Sequence, residues 1–386
     1  MHKPPFLSQN IDSVIELSAS DDPIARLLNE RTRRNISTAK IAGLSDKHVL
    51  ILTHDYDPEV TLLTIKLRSR GIPCIRLNTN DIPDEQLRVR YSIGPGSPKP
   101  NIEFALGQQE FSPSRVSAVL LRQFDLKEAN FYGNEFAREY SLQQWSSAFQ
   151  ILQGSLGCKW INSPEASIQA NDCIRQLSAA KAVDFDIPET LITNDPTTAM
   201  DFYSLHEGNI IVKGLNHHDL VVGNKLYSTY ARPVSDFQLL IRYGGLAASP
   251  CVWQHKITKR SELRITVIGE NVFAAELGSR VLGEKNPHNV DIHHYLSDSN
   301  FPIKKVDRLS DKIVDGCIKL AKSLGLEYAA IDFAIDREEG NDDDNINNNN
   351  AIFLEVNPTG EWYWIESKTG LRMTDAMADL IEGCIH

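Results

Sequence analysis

Two apolar segments near the C-terminus each carry a single carboxylate, and this feature limits most strongly what the chain can fold into. Residues 329–335 read AAIDFAI and residues 351–356 read AIFLEV. Their length and apolar character predict two buried β-strands. A carboxylate within a buried strand is costly unless it is paired or bound to a metal. We therefore expect Asp332 and Glu355 to belong to a site.

Asn357 extends this carboxylate pair into a set of three oxygen ligands. Alternate residues of a strand point to the same face, so Asn357 and Glu355 project together, and Asp332 joins them if the two strands pair. Two carboxylates and an amide oxygen suit Mg²⁺ that is shared with phosphate oxygens. The intervening residues 337–350 are acidic and asparagine-rich, which predicts a solvated loop.

Three cations accompany this acidic set. Lys213 ends an apolar strand predicted at 210–213, Arg264 lies within a strand predicted at 263–268, and Arg280 follows an apolar segment. Lysine and arginine on a sheet suit the charge of a triphosphate or an acyl phosphate. For each cation alone, a salt bridge to a core acid is the alternative.

Residues 252–257 read VWQHKI, an apolar strand that breaks into an irregular segment. The main-chain groups of such a hinge can bind the edge of an adenine between apolar walls. An ordinary strand end is the alternative explanation of this segment.

The first half of the chain predicts a parallel sheet. A buried strand at 48–53, an amphipathic helix at 58–70 and a strand at 73–77 form a βαβ unit with a right-handed crossover. No glycine-rich phosphate loop follows the first strand, which argues against a Rossmann dinucleotide site. Beyond Lys213 the strands are separated by short turns and predict antiparallel pairing, so the class is α/β with an α+β part.

Size and charge narrow the possible functions. The 386 residues allow two or three domains, and the net charge of -11 predicts no general attraction to nucleic acid or to an anionic membrane. No apolar run approaches the roughly 18 residues of a membrane span. The six cysteines are widely spaced, as in a reduced, cytoplasmic protein.

Three short motifs resemble one known family. Residues 354–362 read LEVNPTGEW, residues 365–370 read IESKTG, and residues 160–164 read WINSP. In this order they resemble the ATP-grasp superfamily over roughly residues 47–386. Within it the chain is similar to the RimK-like ligases, and most of all to the microviridin-type peptide ligases, or graspetide synthetases.

The resemblance implies an ATP-grasp fold with ATP and Mg²⁺ as cofactors. Residues 1–46 would be an N-terminal extension, 47–158 a pre-grasp parallel-sheet domain, 159–255 the central subdomain and 256–386 the C-terminal subdomain, with 337–350 as an insert loop. ATP would lie between the last two.

The resemblance also implies residue roles. Arg264 and Arg280 would steady the phosphates or the acyl phosphate. Metal ligands would be Asp332, Glu355 and Asn357. The residues that would contact the nucleotide are Lys213, Gln254, His255, Lys256, Ile257, Glu262 and Asn357.

The implied activity is an ATP-dependent ligation through an acyl phosphate, installing ester or amide crosslinks in a ribosomally made precursor peptide with leader and core. The partner would be that peptide or another carboxylate substrate. Independently of the resemblance, we expect a homodimer, the default among soluble assemblies. Two alternatives stay open: a RimK-like ligase that adds an amino acid to a small acid or a protein terminus, and a catalytically weak ATP-binding subunit. The second is motivated by Cys173, which stands where the family usually has a phosphate-contacting lysine; Arg175 lies on a different helix face.

Overall fold

The computed structural model describes residues 47–82, 87–106, 109–129, 131–215, 219–222, 225–228, 231–234, 245–259, 261–278, 301–335 and 351–385. The predicted extension 1–46, Arg280 and the predicted insert loop 337–350 lie outside the described residues. The strands are β1 (His48–Thr53), β2 (Cys74–Asn78), β3 (Leu87–Gly94), β4 (Ser97–Leu106), β5 (Gln109–Phe111), β6 (Val116–Leu121), β7 (Lys159–Ile161), β8 (Thr190–Thr193), β9 (Ile210–Lys213), β10 (Asp219–Val222), β11 (Lys225–Ser228), β12 (Arg232–Pro233), β13 (Cys251–His255), β14 (Ser261–Ile268), β15 (Asn271–Leu277), β16 (Ile303–Lys305), β17 (Tyr328–Ile335) and β18 (Ala351–Asn357). The α-helices are α1 (Pro58–Ser69), α2 (Glu135–Ser155), α3 (Pro164–Ala170), α4 (Cys173–Ala182), α5 (Pro196–Leu205), α6 (Gly245–Ala248), α7 (Asp311–Ser323), α8 (Tyr363–Thr369) and α9 (Met373–Gly383).

The N-terminal unit is built on a parallel sheet in the order β2-β1-β6-β7. β1 is buried over its whole length because both faces of the sheet are covered, as parallel sheets require. Asp57 caps the N-terminus of α1, accepting from the main-chain N–H of Val60, and Pro58 occupies the first turn. The predicted βαβ unit is therefore confirmed.

The rest of the chain is dominated by antiparallel sheets. One sheet has the order β12-β9-β13-β8 and another the order β16-β15-β14-β17-β18. The register of the second sheet places Arg264 opposite Asp332, and Asp332 opposite Glu355. A third sheet, β3-β4-β5, lies beside the parallel sheet and was not predicted from the sequence.

One hydrophobic core joins the first and last parts of the chain. Val49 and Leu63 of the N-terminal unit share a cluster with Trp362, Met377 and Ile381 from the C-terminal end. Helices α1 and α9 are also linked by ion pairs on this surface. The segment that follows β18 therefore packs directly on the N-terminal unit.

Residues 164–182 form two helices, α3 and α4, instead of one continuous helix. Asp172 ends the continuity, because its side chain accepts from the N–H of Arg175 and caps a new helix. Asn and Asp favour such caps over helix interiors. In the part of the chain that the structure describes, no helix is both long and apolar enough to cross a membrane.

Candidate active site

A cleft lies between the two larger antiparallel sheets, at the C-terminal end of β18. Lys213 and Val252 line it from one sheet, and Glu355 and Asn357 from the other. Cys173, in the first turn of α4, closes one side. Residues that are far apart in sequence thus meet at one place.

The three predicted oxygen ligands come together as the strand pattern indicated. Oδ2 of Asp332 and Oε1 of Glu355 lie 3.0 and 3.1 Å from Nδ2 of Asn357, and both accept a hydrogen bond from it. A register shift between Asp332 and Phe333 accommodates one extra residue in β18. This bulge lets Glu355 face the cleft while Phe353 and Val356 stay in the core.

Arg264 supports the carboxylate from the neighbouring strand. Its Nε donates to Oδ1 of Asp332 at 2.5 Å, and both side chains are buried. Burial by itself would lower the pKa of Arg264, but the charge of Asp332 more than offsets this and the pKa is raised. Arg264 therefore stays cationic and holds one oxygen of Asp332, while the other oxygen faces Asn357.

Lys213 completes the charge pattern of the cleft. Its Nζ lies 4.0 Å from Oε2 of Glu355, and its side chain is largely buried. Cys173 lines the same cleft. Burial and the charge of Glu355 raise the pKa of its thiol while the charge of Lys213 lowers it, and the net effect is a raised pKa. Arg175 is exposed and does not line the cleft, so it does not replace the lysine that the family usually has at the Cys173 position.

The predicted hinge residues have contacts of their own. The Gln254 side chain is buried and donates to Oγ1 of Thr190, and the His255 ring stacks on His206 with ring centroids 4.8 Å apart. The N–H of Lys256 donates to the carbonyl oxygen of Asn209. A contact from Lys256 to a base would therefore use its carbonyl, and the role of Ile257, in the irregular segment that follows, stays a prediction.

Glu262 lies on the same strand as Arg264 and two residues before it, so their side chains share a face. It is buried and pairs with Lys259, and no contact to the cleft is evident among the described residues. Its predicted role in nucleotide binding, like that of Arg280, stays a prediction.

Two residues that hold the ligand strand were not singled out from the sequence as site residues. Gln176 of α4 accepts from the N–H of Val356 at 2.9 Å and donates to its carbonyl at 2.8 Å, which fixes the residue between Glu355 and Asn357. Asn162 donates to the carbonyls of Tyr328 and Pro358 and accepts from the N–H of Tyr328. Asn162 belongs to the WINSP motif, so the motif was the available signal.

The residues present fit a hard cation. Two carboxylate oxygens converge on one amide, and an amide offers an oxygen as well as a nitrogen to the same place after a half-turn. Oxygen ligands of this kind, few in number and beside a lysine, match a Mg²⁺ ion that also binds phosphate. Among the described residues, no group of three or more His, Cys, Asp or Glu side chains forms a closed metal cage.

With its parallel-sheet unit and its cleft between two antiparallel sheets, this chain has the ATP-grasp fold, as its similarity to solved structures shows. It is similar to the macrocyclase MdnC from Microcystis aeruginosa MRC, solved with the precursor peptide MdnA, at 27% identity and a TM-score of 0.70, covering 87% of this chain and 99% of that one. A RiPP-associated ATP-grasp ligase from Chryseobacterium gregarium, solved with ADP and a leader and core peptide, has a TM-score of 0.73 at 22% identity, covering 87% of this chain and 97% of that one. The ligase PsnB, solved with a phosphomimetic variant of its minimal precursor, Mg and ADP, has a TM-score of 0.63 at 22% identity, with 88% and 99% covered.

These similarities confirm the predicted fold class and the predicted resemblance to ATP-grasp peptide ligases. No protein-family model and no curated protein matches the sequence.

Proposed function

We propose that this chain is an ADP-forming ligase that uses ATP and Mg²⁺ to form ester or amide bonds between side chains of a ribosomally made precursor peptide. The observation that carries the proposal is the convergence of Asp332 and Glu355 on Asn357, with Lys213 facing Glu355 across the cleft. The solved structures to which this chain is similar include two ligases solved with both a precursor peptide and ADP, which supports a peptide as the substrate class.

Each residue has a task that follows from its charge and position. Lys213 binds phosphate oxygens from the side of β9, and Arg264 fixes the position of the Asp332 carboxylate by donating to it. Asp332, Glu355 and Asn357 would hold the Mg²⁺, which supplies positive charge that neutralises the phosphates during transfer. We propose that Arg280 and the hinge residues Gln254 to Ile257 complete the nucleotide contacts.

The reaction would run in two balanced steps. A carboxylate oxygen of the peptide attacks the γ-phosphorus of ATP, the bond to the β-phosphate oxygen breaks, and ADP leaves. A hydroxyl or amine of the same peptide then attacks the carbonyl carbon, inorganic phosphate leaves, and the attacking group loses its proton to solvent. Positioning and charge neutralisation supply most of the rate, so no protein nucleophile is required.

One observation favours a second candidate, a catalytically weak ATP-binding subunit. Cys173 lines the cleft beside Lys213 and Glu355, where a lysine would add a positive charge toward the phosphates. A thiol with a raised pKa is neutral and adds none. The sequence resemblance of residues 354–362 to the RimK-like ligases leaves the amino-acid ligase as a further alternative.

Phosphate and ADP release separate the three possibilities. ADP formation that requires a precursor peptide supports the first proposal, ADP formation that requires a free amino acid supports the RimK-like alternative, and nucleotide binding without turnover supports the weak subunit. Mass spectrometry of the peptide provides the second readout, since each crosslink removes one water. The Glu355→Gln variant is the control for contaminating ATPases.

We further propose that the chain forms a homodimer and acts in the cytoplasm. Light scattering of the purified chain tests the first of these, because a monomeric mass at micromolar concentration would contradict it. Fractionation of the source cells tests the second.

A further inference from the structure

The loop that connects β18 to α8 follows directly after the predicted ligand Asn357, and the N-terminal unit holds its main chain. Arg122, just past the end of β6, donates from Nη1 to the carbonyl oxygens of Thr359 at 3.0 Å and Gly360 at 2.9 Å. These carbonyls are two and three residues beyond Asn357.

The far end of the same loop is held by a second residue of that unit. Oε1 of Glu59, on α1, accepts from the N–H groups of Trp362 and Tyr363, each at 3.0 Å. Helix α8 begins here and its own N-cap residue makes no side-chain cap. Glu59 therefore satisfies main-chain donors that would otherwise lack a cap at the start of a helix.

Both residues are almost fully buried, at 3% exposure for Arg122 and 2% for Glu59. The Arg122 guanidinium lies 4.5 Å from the ring centroid of Trp362, and its Nε lies 3.6 Å from Asp57. Burying a charge of this kind is costly, and hydrophobic residues often replace a buried ion pair without loss of stability. The contacts of Arg122 with the loop carbonyls give a reason for the charge other than stability.

The position of the loop is coupled by close packing to Asn357 and Arg264. Gly360 has almost no space around it: a Cβ there would lie 2.5 Å from Cβ of Ala330, 3.4 Å from Cβ of Asn357 and 3.4 Å from Nη1 of Arg264. A displaced loop would therefore move Asn357 or press on Arg264, which holds Asp332. Magnesium tolerates little departure from its preferred distances.

We propose that Arg122 and Glu59 are positioning residues of the metal–phosphate site, so that the N-terminal parallel sheet sets the affinity for Mg²⁺ at Asp332, Glu355 and Asn357. The inference rests on the proposed function. Neither residue touches the metal or the nucleotide; both act through the main chain of the loop. Residues that orient metal ligands typically change metal affinity by about 10- to 100-fold when altered.

The test is the Mg²⁺ dependence of nucleotide binding in the full chain, measured with ADP by calorimetry at a series of Mg²⁺ concentrations. Arg122→Lys keeps the charge but removes Nη1, the atom that donates to both carbonyls, so the half-saturating Mg²⁺ concentration should rise about tenfold or more. Glu59→Ala should act in the same direction, while Glu59→Gln, which keeps the accepting oxygen, should stay within about twofold of the unmodified chain.

Arg76→Lys is the matched control. Arg76 is a buried arginine of the same sheet, and it donates to Asn78, Thr61 and the carbonyl of His54, all within the N-terminal unit. Arg76→Lys should lower the melting temperature, as Arg122→Lys does. It should leave the half-saturating Mg²⁺ concentration within about twofold of that of the unmodified chain.

Equal Mg²⁺ dependence in the Arg122 and Arg76 variants would overturn the inference while leaving the proposed function intact. If Arg122→Lys does not fold, the inference is tested by comparing Glu59→Ala with Glu59→Gln. Equal Mg²⁺ dependence in those two variants overturns the inference. Absence of Mg²⁺-dependent nucleotide binding in the unmodified chain overturns the proposed function and the inference together.

Discussion

Replacing Glu59 by glutamine should change how the stability of the protein depends on pH. Burial is the main reason that the pKa of Glu59 is raised from 4.5 to about 8, and the neighbouring carboxylate of Asp57 raises it further. Arg122 acts in the opposite sense but does not cancel these effects. Glu59 is therefore protonated in the folded chain at a pH where it is ionised in the unfolded chain.

The sign of the effect follows from proton binding. Between about pH 4.5 and about pH 8 the folded state holds a proton that the unfolded state has released, so stability falls as pH rises and the contribution of Glu59 is lost by about pH 8. Each unit of pKa difference corresponds to about 1.4 kcal/mol. Over a span of about 1.5 pH units inside this window, the loss is roughly 2 kcal/mol.

The titration of Asp57 is coupled to that of Glu59 but takes place at lower pH. Burial raises the pKa of Asp57. The charge of Arg122 and the hydrogen bonds that Asp57 accepts lower it by more, so the net pKa lies below the usual 3.8. The stability that Asp57 contributes is present above about pH 4 and is lost as the pH falls below that. It is therefore constant across the window in which Glu59 titrates.

The assay is urea unfolding followed by tryptophan fluorescence, at about pH 6 and about pH 7.5, for the unmodified chain and Glu59→Gln. Glutamine keeps an oxygen that accepts from Trp362 and Tyr363, so the two proteins should be similarly stable at the lower pH. The unmodified chain should lose roughly 2 kcal/mol more than the variant at the higher pH. Other titrating groups cancel in this double difference. A double difference below about 0.5 kcal/mol would refute the reasoning.

Three further predictions concern the cleft and the loop that follows Asn357. Glu355→Gln removes a charged ligand beside Asn357 and should abolish turnover without changing the circular dichroism spectrum; retained ADP formation would contradict the metal assignment. Cys173→Lys adds a positive charge near Lys213 and should tighten ATP binding severalfold in calorimetry, and an unchanged affinity would count against the alignment with the family lysine. Gly360→Ala forces a contact with Ala330 at 2.5 Å and should lower the free energy of unfolding, measured in urea, by about 1–3 kcal/mol. A change below about 0.5 kcal/mol would show that the loop moves to accommodate the methyl group.

Much of the site could be predicted because its signals are local. A carboxylate within an apolar strand is unusual whatever surrounds it, so Asp332 and Glu355 could be singled out from residues 329–335 and 351–356 alone. The alternation of a strand then fixed the shared face of Glu355 and Asn357. The structure brings these residues together through the pairing of β17 with β18.

The break between two helices and the sheet of β3 and β4 could not be predicted, because different local structures compete in these segments and the sequence does not clearly favour one of them. The break between α3 and α4 depends on Asp172 acting as an N-cap instead of a helix-interior residue. The strands β3 and β4 alternate between buried and exposed side chains only in part, and their pairing covers one side of the parallel sheet. Propensity alone does not decide between these outcomes, because packing overrides it.

By itself, the sequence determined the βαβ unit, the antiparallel strands beyond Lys213 and the acidic residues at the end of the chain, because each depends on spacing within one segment. Only the tertiary structure decided that Lys213 faces Glu355, and that Arg122 and Glu59 hold the loop after Asn357. These contacts join residues far apart in the chain, so no local pattern encodes them. They exist because α1 and α9 share one core, which places the N-terminal unit against the loop that follows the metal ligands.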